Sequence, residues 1–153
     1  MKKTILAVAL VSLLVSCGKR VLLDETHSLD KNVWMWSEPE VFDFEVQDID
    51  NPYVIVMSMS YDTDLVTSSS VPLKIEFFTD SNARHTLFPS LTLVDRDSSR
   101  RGTKIDRFCT VTDTLDRCRL FNEAGVYTYK VKQLTGKYEM NGVSALGMKV
   151  ERL

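Results

Sequence analysis

Histidine is nearly absent from this sequence: only His27 and His85 occur in 153 residues. Neither stands in a spaced ligand set, and both read as solvated surface residues, His27 in a leading segment and His85 at a strand start. A serine or cysteine nucleophile needs a base and a group to orient it. No Gly-x-Ser-x-Gly turn is present. The six glycines are scattered, with Gly102, Gly125, Gly136, Gly142 and Gly147 at turn or bulge positions, and are not gathered into a phosphate-cradling loop. Cationic excess is also missing. Nineteen Lys and Arg stand against 21 Asp and Glu, a net charge of −2, so there is no electrostatic footprint for nucleic acid. The basic residues are interspersed with acids, which argues against a polybasic membrane face. No internal repeat occurs, and the only biased tract is Ser68-Ser69-Ser70. These absences point away from an enzyme and imply no metal or cofactor.

What is present begins at the amino terminus. Lys2 and Lys3 precede an apolar run, Thr4 to Val15, broken only by Ser12; Ser16 and Cys17 follow. A cationic start, an apolar stretch and a small residue before the cut define a secretion signal. The run is shorter than the roughly 20 apolar residues that span a bilayer. Leu14-Val15-Ser16-Cys17 resembles a bacterial lipobox. That likeness implies a diacylglyceryl group on the Cys17 thiol and cleavage before Cys17. The alternatives are a plain secretory signal with an incidental cysteine, or a retained membrane helix. The expected division is therefore a lipoprotein signal peptide over 1–16, a lipidated tether over 17–33 and a folded domain over 34–153. The membrane partner is reached through Cys17. No Ser or Asp run follows Cys17, unlike the surface-export signal of some Bacteroidota lipoproteins, which points to an outer-membrane location facing the periplasm.

From Trp34 onward the chain reads as short strands. Phe42, Phe44 and Val46 alternate with Asp43 and Glu45; Leu73, Ile75 and Phe77 alternate with Lys74 and Glu76. Tyr53 to Tyr61, Val126 to Gln133 and Ala145 to Glu151 repeat the pattern. Thr86 to Val94 reads as one edge or bulged strand because it contains Pro89. Arg107 to Thr112 and Arg117 to Phe121 read as a hairpin around Asp113-Thr114. Seven or eight short strands with turn-rich gaps and no capped helical period predict an all-β fold, an antiparallel two-sheet β-sandwich of jelly-roll or Ig-like type.

Candidate chemistry is sparse. Cys109 and Cys118 form either a disulfide across that hairpin or two reduced, half-buried thiols. With no histidine near them in sequence, a metal site is not expected. Glu38 with Glu40, or Asp95 with Asp97, would serve as acid and base only if they converged in a cleft; solvated loop acids are the default. Asp48-Ile49-Asp50-Asn51 offers oxygens to calcium but lacks the rest of a calcium loop. Trp34 and Trp36 share a face if extended. Exposed, they form a stacking platform for a sugar or a partner; buried, they seal one end of the sandwich, and burial of at least one is expected.

Taken together, the lipobox, Trp34 ahead of Phe42-Asp43-Phe44, Asn51-Pro52-Tyr53 and the C-terminal third resemble the GldH gliding-motility lipoproteins of Bacteroidota. Phe121-Asn122-Glu123-Ala124-Gly125-Val126-Tyr127-Thr128-Tyr129 is similar to that family's Phe-Pro-x-x-Gly-x-Tyr-x-Phe stretch. Asn141-Gly142-Val143-Ser144-Ala145-Leu146-Gly147-Met148-Lys149-Val150-Glu151 is similar to its ending. The chain departs from the family at Val71-Pro72-Leu73, which matches its usual Tyr-Pro strand entry only loosely. It departs again at Ser98-Ser99-Arg100-Arg101-Gly102, which lacks the usual tryptophan. The resemblance implies an envelope lipoprotein without catalytic residues, acting by protein–protein contact near gliding or type IX secretion machinery. A carbohydrate-binding module that presents exposed aromatics to a glycan is the competing expectation.

Overall fold

The computed structural model describes residues 20–81 and 84–153. The expected signal peptide and Cys17 lie outside the described residues. Among the described residues there is no α-helix, only one 3-10 turn at Asp30–Asn32. Twelve strands account for the architecture: β1 (Val21–Ser28), β2 (Val33–Met35), β3 (Glu40–Val46), β4 (Tyr53–Asp62), β5 (Ser70–Thr79), β6 (Arg84–Leu87), β7 (Ser90–Thr92), β8 (Thr103–Ile105), β9 (Phe108–Arg119), β10 (Gly125–Gln133), β11 (Glu139–Asn141) and β12 (Val143–Arg152). One sheet runs β1-β12-β4-β9-β8. The other runs β3-β10-β5-β6, with β7 pairing β5 beyond β6. A two-stranded ladder, β2 with β11, stands apart. Every pairing is antiparallel, and neither sheet closes into a barrel. The fold is the expected all-β sandwich.

The alternation legible in the sequence fills the space between the sheets. Side chains of successive strand residues point to opposite faces. Tyr53, Ile55, Met57, Met59 and Tyr61 of β4 are therefore buried, facing Phe42, Phe44 and Val46 of β3 and Leu73, Ile75 and Phe77 of β5. An aromatic cluster fills one half of the core. Phe77 stacks on Tyr129 at 4.9 Å, Phe44 lies 5.4 Å from Tyr129, and Phe121 lies 4.5 Å from Tyr127 and 5.4 Å from Tyr53. Such offset and edge contacts add about 0.5–1.5 kcal/mol per pair to the area term. Gly147 permits the closest approach within the first sheet. A Cβ there would lie 2.4 Å from Ser58 Oγ and 2.9 Å from Thr26 Oγ1, on the two neighbouring strands.

Four expectations are corrected. The segment expected as a tether over 17–33 contains a strand: Val21–Ser28 is paired with β12 from Val21↔Glu151 to Ser28↔Ala145. As an edge strand it buries only Leu23, so it carries no alternation to read. The Cys109–Cys118 hairpin is a single strand, β9. Asp113-Thr114 lacks the glycine that a two-residue hairpin turn favours, and ten-residue β4 offers an unbroken partner. Register shifts opposite Tyr53–Val56 absorb the surplus residues of β9 as bulges. Nine residues along one strand separate the two thiols by roughly 30 Å, far beyond the Cα separation of about 7 Å that a disulfide tolerates. Both are free: Cys109 is buried and donates to the Arg101 carbonyl at 3.1 Å, and Cys118 is exposed. The single strand expected over Thr86–Val94 is two, β6 and β7, parted at Pro89. His27 is only partly solvated, its side chain 32% exposed and engaged by its neighbours. Its Nδ1 lies 2.9 Å from Glu40 Oε2 and its ring stacks on Phe42 at 4.4 Å, tying β1 to β3 where the sheets meet.

Two outcomes follow from this core. The Tyr129 hydroxyl is buried without a hydrogen-bond partner among the described residues, and burial pushes its pKa well up. Removing an unpaired buried hydroxyl relieves a desolvation cost, so Tyr129→Phe should hold or raise stability by up to about 1 kcal/mol; a clear drop in the denaturant midpoint would contradict the unpaired geometry. A maleimide applied to the native protein should modify Cys118 and spare Cys109. A Cys109–Cys118 cross-linked peptide under non-reducing mass spectrometry is incompatible with β9.

Candidate functional site

The sandwich has two ends, and the topology places them differently. Val21 opens β1 beside Glu151, and Arg152 N donates to the Arg20 carbonyl at 2.7 Å. The chain leading back toward Cys17 therefore leaves from the end where β12 finishes and β4 starts. At the far end, β1 finishes at Ser28, β4 at Asp62 and β10 at Gln133, while β12 starts at Val143. The β2–β11 ladder closes this far end.

The ladder pairs Met35 with Glu139, Trp34 with Met140 and Val33 with Asn141. Trp34 and Met140 turn inward and are 1% and 6% exposed, plugging the sandwich. The indole Nε1 of Trp34 has no hydrogen-bond partner among the described residues. Trp36 lies past the end of β2 and is 47% exposed. The two tryptophans therefore do not share a face: one is core and the other is surface. Trp36 N donates to the Tyr138 carbonyl at 2.8 Å, and the Ser37 and Tyr138 hydroxyls are 3.3 Å apart. Tyr138, 60% exposed, thus stands beside Trp36. Lys132 Nζ lies 5.4 Å from the Trp36 ring centroid and shields one of its faces.

Two buried polar residues set the neighbouring loops. Gln133 is fully buried. Its Nε2 donates to the Lys137 carbonyl at 2.8 Å, and its Oε1 accepts from Thr135 N at 2.9 Å and Thr135 Oγ1 at 2.6 Å. One amide thereby ties down the loop that carries Leu134 and Tyr138. Asp62, 2% exposed, does the same for the loop after β4. Its Oδ1 accepts from Asp64 N at 2.9 Å, its Oδ2 meets Arg107 Nε at 3.0 Å, and its carbonyl accepts from Val66 N at 2.9 Å. This turn buries Val66 and leaves Leu65 61% exposed. Gly142 lies against it with φ +93°, and a Cβ there would come within 2.7 Å of Leu65 Cβ. Between the two loops runs a groove of about 550 Å³ lined by Leu65, Pro72, Leu134 and Met140, with Lys137 and Asn141 among its polar groups. A second hollow, about 420 Å³, opens on the other side of Glu139. Trp34, Asp30, Glu38 and Glu40 line it, with Lys31 as its cation.

The carboxylates weighed as acid–base pairs do not all converge in one cleft. Glu38 and Glu40 border one hollow, but Glu40 is engaged by His27. Asp95 and Asp97 sit elsewhere, Asp95 3.6 Å from Arg101 and Asp97 bound to Ser99, whose hydrogen bonds hold its pKa below the usual carboxylate value. The Asp48 carboxylate is taken up by Asn51 at 2.8 Å, Asp50 N at 3.1 Å and Arg152 at 2.9 Å, so that loop is tied internally. Among the described residues no three His, Cys, Asp or Glu side chains gather in metal-ligand geometry, and no helix is long and apolar enough to cross a membrane. Sequence reading singled out Trp34 and Trp36 at this tip but missed Leu65, Leu134, Tyr138, Asp62 and Gln133. Gln133-Leu134 carried the one usable signal, an amide closing an alternating strand on its buried face.

Gln133→Leu keeps the volume and removes the amide. It should lower stability by about 1–3 kcal/mol and speed hydrogen exchange across 134–138; unchanged exchange there would show that the loop is held by other means.

No curated protein and no solved structure matches the chain. The family model described as GldH lipoprotein matches residues 21–150. That span takes in strands of both sheets, the tip ladder, the Phe121–Tyr129 stretch and all but the last residue of the Asn141–Glu151 stretch, and the chain belongs to the GldH lipoprotein family.

Proposed function

We propose that this lipoprotein is a non-catalytic component of the cell envelope, anchored through Cys17, that binds another envelope protein with the tip of its sandwich. The observation that carries the reading is where the exposed apolar groups lie. Leu65 and Leu134 line the groove, and Trp36 and Tyr138 stand exposed together by the ladder at the same end, away from Arg20. Exposed aromatic and aliphatic side chains gathered at one end of a domain are a usual mark of a protein-binding surface. The family resemblance supports a place in gliding or type IX secretion assembly, and the lack of a Ser or Asp run after Cys17 supports an outer-membrane anchor with the domain facing the periplasm.

One observation favours a second reading. Trp36 and Tyr138 are neighbouring exposed aromatics, which a glycan-binding module requires. Lys132 over Trp36 weighs against it, because a sugar ring needs an uncovered aromatic face.

The test is affinity capture of the full-length acylated protein from cross-linked native envelopes. A stoichiometric envelope protein should be recovered. The double variant Trp36→Ala, Tyr138→Ala should lose about 2 kcal/mol of affinity, roughly 30-fold, and Cys17→Ala should lose capture by mislocalisation. Undiminished capture by the double variant would remove the tip from the interface. Glycan binding that depends on Trp36, with no protein recovered, would establish the second reading instead.

A further inference from the structure

The opposite end of the sandwich carries a separate set of exposed apolar residues. Val21 is 37% exposed, Ile49 39%, Leu120 58% and Leu153 62%. The backbone brings them to one surface. Leu153 N donates to the Pro52 carbonyl at 2.9 Å, and Arg119 pairs with Tyr53, placing Leu120 beside the Asp48–Pro52 loop. Arg152 Nη1 meets Asp48 Oδ2 at 2.9 Å, which holds Ile49's loop against the end of β12. Three acids here are each met by an arginine: Glu151 by Arg20 at 3.1 Å, Asp48 by Arg152 and Asp116 by Arg119 at 2.7 Å.

The chain itself says what this end meets. Gly18 and Lys19 alone separate Cys17 from Arg20. Three Cα–Cα steps reach no more than about 11 Å. The headgroup layer of one leaflet is about 5–8 Å thick, and an acylated cysteine sits at its base. Even at full stretch that reach exceeds the headgroup layer by only about 3–6 Å, so this end is held at the lipid surface. We infer that this end seats in the membrane interface, with Ile49, Leu120 and Val21 inserted among the headgroups as a second, non-covalent attachment. Paired charges lower the cost of bringing the acids to the surface, and the exposed aliphatic groups gain from leaving water. The seating holds the domain upright and presents the tip to partners about one strand length away. This inference rests on acylation of Cys17.

The experiment uses full-length acylated protein in phosphatidylethanolamine–phosphatidylglycerol vesicles. Nitroxides are placed singly through Ile49→Cys, Leu120→Cys and, at the tip, Tyr138→Cys, each with Cys118→Ser. Collisions with dissolved oxygen and with a water-soluble nickel chelate are then compared. Chelate collisions at 49 and 120 should fall below about half of those at 138, as expected for side chains 5–10 Å into the interface, while oxygen collisions persist. Equal chelate access at all three positions, in protein that floats with the vesicles and has a diacylated Cys17 by mass, would overturn the seating alone. Protein that neither floats nor carries the lipid would overturn the anchor and the seating together. A Leu120→Asp variant, still acylated, should regain chelate access at 49; no change there would also overturn the proposal.

Discussion

Burial of one indole organises the end of the sandwich where the β2–β11 ladder sits. Two open sheets leave a sandwich exposed at both ends, and Trp34 with Met140 closes one of them. An indole so completely buried represents about 3–5 kcal/mol. The three-residue ladder that holds it could not persist alone, because so short a pairing offers little to offset its ordering entropy. The plug therefore stabilises the ladder, and the ladder's geometry fixes Trp36 and Tyr138 outside it. The surface aromatics are where they are because their neighbours are in the core.

The polar residues of the tip obey the same logic. A buried amide or carboxylate is tolerated only when its hydrogen bonds are made. Gln133 uses both ends of its amide, and Asp62 uses both carboxylate oxygens. Each closes a loop that could otherwise move independently of the sheets. The groove between those loops is thus held by the fold itself, and a ligand seated there would lose little entropy in ordering it.

Most of the fold was legible because alternation is a direct imprint of burial. β3, β4, β5, β10 and β12 each bury one face, and each shows it in sequence. Where burial is asymmetric the imprint fades. β1 covers the sheet edge with polar residues on both faces and buries only Leu23, so it resembles a linker. β8 has no buried residue at all. In β9 the period slips at each bulge, and the slip mimics a turn. The tip was half legible: two tryptophans two residues apart signalled an end, but strand geometry alone would place both on one face. The turn after Met35 is what separates them, and it is set by the distant pairing with Glu139–Asn141. Ion pairs that join residues far apart in sequence, such as Arg152 with Asp48 and Arg107 with Asp62, left no local trace.

β9 also has a consequence for coexistence with other copies. β8 pairs only with Phe108–Thr110, so the lower part of this twelve-residue strand runs along the sheet's margin. A long bare strand margin invites another chain to add itself by backbone hydrogen bonds. Here the margin is bulged twice and studded with Asp116, Arg117 and Arg119. The irregular spacing denies an incoming strand a matching ladder, and the charges would have to be desolvated to let one approach. The same bulges that hid this strand from sequence reading would therefore oppose edge-to-edge addition of one copy to another.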